Sequence, residues 1–136
     1  MGLANTYNYV GVTHGERREY GQALHYLRKA LEIRESFAKK DSASDTYPFE
    51  VADSQAQIGF VYSARPLRPH ALPQEERVAG SEAITWFGRA LPVFQRRKEQ
   101  GKLKWTELAT YDSLKEQMDK CKRLLHLTPG TTSHAN

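Results

Sequence analysis

The chain has 136 residues, 39% apolar and 26% charged, enough for one domain with a modest core and too apolar for a disordered polymer. Net charge is +4, and the single cysteine, Cys121, rules out an internal disulfide and fits a reducing compartment. No apolar run approaches the roughly 20 residues of a membrane span, and the N-terminus lacks the charged start and apolar centre of a secretory leader. The basic excess falls in mixed segments such as QRRKEQGKLK without a basic–aromatic stripe. The composition therefore argues against nucleic acid or a membrane as partner and makes the cytoplasm the expected location.

Apolar spacing predicts five helices. Leu3 to His14 sets Tyr7, Val10 and His14 on one face, with Gly11 in the middle. A mid-helix glycine costs about 1 kcal/mol relative to alanine, so close contact with a neighbouring backbone is expected there. GERRE makes the turn. In EYGQALHYLRKALEIR, Glu19 to Arg34, the residues Tyr20, Ala23, Leu24, Leu27, Ala30, Leu31 and Ile33 recur at steps of three and four. That helix runs to about Lys40. The small Ala23 and Ala30 inside its apolar face allow another helix to come close.

KKDSASDTYP reads as a linker, with Pro48 marking the stop. A third helix, Phe49 to Ser63, carries Val51, Ala52, Ile58 and Tyr62, again with a glycine, Gly59, in its middle. Residues 64–81 hold three prolines and read as an insertion from which QEER restarts a helix. The fourth stripe is Ala83, Trp86, Phe87, Ala90, Leu91 and Phe94, with Pro92 expected to kink or tighten it, and Gly101 punctuates. A last helix, about Leu103 to Leu127, is expected to bury Leu108, Tyr111, Leu114, Met118, Cys121 and Leu125 before Thr128-Pro129-Gly130 ends it.

The two hairpins repeat one another. Tyr7-x2-Val10-Gly11-x2-His14 matches Gln55-x2-Ile58-Gly59-x2-Tyr62, and Ala23-x3-Leu27-x2-Ala30-Leu31 matches Ala83-x3-Phe87-x2-Ala90-Leu91. This pattern resembles the tetratricopeptide repeat, aromatic-x2-L-G-x2-Y followed by A-x3-F and a later alanine. KALEIRE, then Pro48 and EVADSQAQIGFVYS, is similar to the long-spaced repeats of kinesin light chains. The resemblance implies an all-α fold, a short solenoid of helical hairpins. Repeat one would span 3–40, a linker 41–48, and repeat two 49–100 with its Pro-rich insertion at about 64–81. A capping helix at 102–127 and a disordered tail at 128–136 would follow. Gly59 follows Gly11 by 48 residues rather than the usual spacing of about 34. Lys115 stands where a third repeat would have its glycine, as suits a cap. Two repeats and a cap fall short of the three or so needed for stability, which predicts a larger array or assembly.

The resemblance also implies a groove lined by the first helix of each hairpin, where partner peptides lie. Its residues would be Asn5, Asn8, Tyr9 and Val12, then Asp53, Ala56, Gln57 and Phe60, then Asp112, Ser113, Glu116 and Asp119. Amides of Asn and Gln can pair with an extended backbone, Tyr9 and Phe60 can receive an apolar side chain, and the carboxylates favour a partly basic ligand. The expected function is a non-catalytic scaffold binding a peptide or helix of a partner protein within a multiprotein complex. The alternative is a basic outer surface attaching to nucleic acid, tubulin or an anionic membrane. The carboxylate clamp of chaperone-binding relatives is not matched, because Asn8 and Val12 stand at its positions in the first helix.

Nothing in the sequence predicts catalysis, a cofactor or a metal. His14, His25, His70, His126 and His134 are scattered, and no phosphate loop, dinucleotide fingerprint or nucleophile elbow occurs. His14 and Cys121 sit on packing faces. Two short motifs read more simply as local structure: Pro66-Leu67-Arg68-Pro69 as a loop, and Gly2 with Thr6, an acylation pattern, as a helix start.

Overall fold

The computed structural model describes residues 2–64 and 74–126. Five helices follow in order: α1 Leu3–Glu16, α2 Tyr20–Lys40, α3 Thr46–Ser63, α4 Gln74–Glu99 and α5 Trp105–His126, with no strand among the described residues. Each packs on its chain neighbours, and α3 also contacts α1 and α5 directly. The first helices α1, α3 and α5 thus line up on one side, with α2 and α4 behind them. This is a helical-hairpin solenoid. The Pro66–Pro69 motif, His70, the Thr128-Pro129-Gly130 stop, His134 and the expected tail lie outside the described residues.

The repeated glycines have a common cause. A Cβ built on Gly11 would lie 2.7 Å from Leu27 Cγ, and one on Gly59 would lie 2.6 Å from two ring carbons of Phe87. Leu27 and Phe87 are the matching bulky positions of the two second helices, and both are fully buried. Each glycine therefore receives the large side chain of its partner helix. At Gly11 the backbone is also close, since the Ala23 carbonyl oxygen lies 3.1 Å from the same point. Ala23, Ala30, Ala83 and Ala90 have no exposed surface, as close helix approach requires.

Two apolar clusters share α3. Ile58 and Val61 pack with Ala23, Leu27 and Leu31 of α2. Phe49, Ala52 and Ala56 pack with Ala83, Phe87, Ala90 and Phe94 of α4, which in turn meet Tyr111, Leu114, Met118 and Cys121 of α5. Leu108 and Leu125, expected in the core, are half-buried instead. Lys115, at the would-be glycine position, lays its ammonium 4.3 Å from the centre of the Tyr111 ring.

Helix ends follow local chemistry. After α1, the Glu19 amide donates to His14 O (2.9 Å) and the Arg18 amide to Gly15 O (3.0 Å), with Arg18 in the left-handed region at φ 61°. The same paired closure ends α4, where Lys102 donates to Arg97 O and Gly101, at φ 69°, donates to Lys98 O. Pro48, expected to mark a stop, lies in the first turn of α3, behind the N-cap Asp45. A proline is tolerated there because a first-turn N–H has no intrahelical acceptor. Residues from Gln74 onward in the expected insertion are already helical, and α4 continues through the exposed Pro92.

Candidate functional site

Two adjoining cavities mark the side formed by α1, α3 and α5. The first, about 270 Å³, lies between α1 and α3 and is lined by Val12, Gly15, Glu16, Leu27, Gln57, Phe60, Val61 and Ala64. The second, about 520 Å³, lies between α3 and α5 and is lined by Gln57, Phe60, Ser63, Ala64, Ala109, Thr110, Ser113 and Gln117. Gln57, Phe60 and Ala64 belong to both, so the cavities form one trough divided by α3. Phe60 is held by an edge-on contact with the buried Phe87, ring centroids 5.1 Å apart.

The expected groove residues separate into three sets. Val12, Gln57, Phe60 and Ser113 line the trough. Asn5, Asn8 and Asp53 are drawn into a polar network at its other end. Tyr9 stands 73% exposed on α1, and Asp112, Glu116 and Asp119 are exposed on α5 outside both cavity walls. Beside the expected Ser113, the α5 residues turned to the trough are Ala109, Thr110 and Gln117. Ala56 is fully buried in the core behind.

Arg34 organises the network. It is 6% exposed, and its Nη1 donates to Ser54 Oγ (2.8 Å), to the Glu50 carbonyl (3.1 Å) and to Asp53 Oδ2 (3.4 Å). Its Nη2 donates to Asn5 Oδ1 (3.0 Å), and Ser54 Oγ donates in turn to Asn8 Oδ1 (3.2 Å). One guidanium from α2 thus ties α1 to α3. Burial pushes the Asp53 carboxyl above its ordinary value, against the opposing pull of Arg34 and a hydrogen bond with Gln57. Asp53 keeps 31% of its side chain exposed, so protein packed around the carboxyl, rather than full enclosure, has this effect. Arg34 had a legible signal: Ala23, Leu27, Ala30 and Arg34 follow one another at steps of four, three and four, placing it on the buried stripe.

A further cavity of about 350 Å³ adjoins this network, with Arg34, Arg97, Lys102 and Lys104 facing Glu50, Asp53 and Glu107. Its charges are largely spoken for: Arg97 donates to Asp45 O and lies 4.6 Å over Phe49, Lys102 bonds Asp45 Oδ2 at 3.0 Å, and the Lys104 amide bonds Glu107 Oε1. The Lys102 bond holds the Asp45 carboxyl below its ordinary value. Behind the trough, the guanidinium groups of Arg28 and Arg89 lie 5.8 and 4.6 Å from the ring centre of Trp86 on α4, and Arg28 also donates to Tyr62 Oη. His14 stacks on Tyr26 and bonds Glu19 Oε1 at 3.1 Å. Cys121 is buried, which pushes its thiol up. Among the described residues no group of His, Cys, Asp and Glu could hold a metal ion, and no helix is long and apolar enough to cross a membrane.

Paired helices, glycine seats for the bulky residue of the partner helix and a trough on the first-helix side define a helical-repeat protein. Residues 3–37, the first hairpin, match the family model of the tetratricopeptide repeat. No curated protein and no solved structure shows significant similarity to it. Repeats of this family generally mediate protein–protein interaction and are typically non-catalytic.

Proposed function

We propose that the chain is a non-catalytic scaffold whose α1–α3–α5 trough holds a peptide segment or helix of a partner protein within a larger assembly. The observation that carries this reading is the pair of adjoining cavities sharing Gln57, Phe60 and Ala64. Gln57 offers both a donor and an acceptor between an apolar wall and a more polar one, as capture of a peptide backbone requires. The charge pattern agrees with a basic ligand. Helices α1 and α3 hold Glu16, Glu50 and Asp53 but no lysine or arginine, whereas α2 holds Arg28, Lys29, Arg34, Lys39 and Lys40 beside Glu32 and Glu35, and α5 carries both signs.

Ser113→Arg places a long cation in the α5 wall without touching the core. Partner binding, measured by calorimetry with the partner recovered by affinity capture, should weaken about tenfold or more. Binding that is indifferent to Ser113→Arg, yet collapses between low and high salt, would instead assign attachment to the basic outer helices.

A further inference from the structure

We infer that the outer face of α1 is a docking surface for an amphipathic helix of a partner protein, one built like α2, with leucines at steps of three and four and an arginine a turn further on. The face is the stripe Leu3, Thr6, Val10 and Thr13, whose steps of three, four and three keep it on one side of the helix. None of the four lines either cavity, so this surface is separate from the trough.

The internal repeat says what covers such a stripe. Shifted by the 48 residues that separate Gly11 from Gly59, the four positions become Val51, Ser54, Ile58 and Val61 of α3, each close in kind to its counterpart. On α3 that stripe lies under α2: Ile58 and Val61 pack with Leu27 and Leu31, and Val51 and Leu24 join the same cluster. Ser54 and Ile58 are fully buried there, whereas on α1 Leu3 is 59% exposed, Thr6 is exposed, and Val10 and Thr13 are partly so. The polar position corresponds as well. Ser54 Oγ donates to Asn8 and accepts Arg34, while Thr6 Oγ1 donates to Gly2 O and keeps a lone pair for a guanidinium. From Leu3 to Gly15 α1 has no Lys, Arg, Asp or Glu, so no such charge is buried when an apolar helix lies on it. A second copy has no α2-like face to offer, because its α2 already packs between α1 and α3, and its α4 between α3 and α5.

A fluorescein-labelled synthetic peptide with the sequence of residues 19–40, the helix that covers the matching stripe, tests this by anisotropy against the intact chain. It should bind, and its Leu24→Glu and Leu31→Glu forms should bind at least about tenfold more weakly. In the protein, Val10→Lys should weaken binding to the same degree, and so should Leu3→Glu, whose exposed position keeps the test open if Val10→Lys loses helical circular dichroism. Ser113→Arg should leave binding unchanged. Binding that ignores Leu3→Glu, or no binding by the peptide, overturns the inference. Loss of binding in Ser113→Arg assigns the peptide to the trough, which overturns the inference and leaves the trough reading standing. A dimer of the chain alone in sedimentation, abolished by Leu3→Glu, gives the stripe to a second copy and overturns it too.

Discussion

A single added methyl group has opposite expected effects at different glycines. Gly11→Ala and Gly59→Ala drive a Cβ into Leu27 and Phe87 and should destabilise by about 1–3 kcal/mol. Gly88→Ala meets nothing within 4 Å and should stabilise by about 0.5–1 kcal/mol through helix propensity alone. Urea denaturation of the three variants checks the contrast, and a stabilised Gly59→Ala would refute the seat assigned to Phe87. Asp53 supplies a pH test. Its carboxyl is raised in the folded state, so the native chain takes up that proton before the unfolded chain does. Its effect is unfavourable at neutral pH and is relieved as pH falls through the carboxylate range. Relative to Asp53→Asn, the wild type should therefore gain stability from pH 7 down to about pH 4. Paired denaturation curves at each pH measure the difference, and a relative loss on acidification would mean that the Arg34 attraction outweighs burial.

Between elements, the strongest expectation concerns Arg34. Arg34→Met leaves Ser54, Asn5, the Glu50 carbonyl and Asp53 without their shared donor and should destabilise by about 3 kcal/mol. Chemical denaturation measures it, and a loss near zero would show that water replaces the guanidinium. The helices themselves were legible, because steps of three and four in Leu27, Ala30, Leu31 and in Phe87, Ala90, Leu91 directly encode a buried face. The glycine–bulky pairing could also be read, since it recurs at matched positions in both hairpins. The network was not read. Its bonds join residues 16 to 46 apart in sequence, and local spacing carries no information on which polar groups meet across helices. Asn5 and Asn8 therefore looked like free peptide-binding amides. The α5 wall was legible only at Ser113, for a related reason. Its rotation about its own axis is set by packing Tyr111, Leu114, Met118 and Cys121 onto α4, which brings Ser113 and Gln117 to the trough and leaves Asp112 and Glu116 outside it. Pro48 misled because a proline marks a first turn as readily as a stop.

Over the whole molecule, stability is uneven. α3 has seven buried residues and faces both apolar clusters, whereas α1 buries only Ala4 and Gly11 and rests mainly on α2. Amide hydrogen exchange should accordingly release α1 at lower free energy than the centre of α3, and identical protection in the two would show a single cooperative unit. The neighbour-on-neighbour stacking of the five helices bears on how the chain reaches this state as well. Its contacts close short stretches of chain, so little configurational freedom is surrendered before the first favourable contact forms. Each hairpin contains its own glycine seat and matching bulky side chain, so ordering can begin at either one and spread through α3. Such a chain has alternative starting points for folding and, among the described residues, no long-range strand pairing to wait for, which places it among the faster-folding topologies.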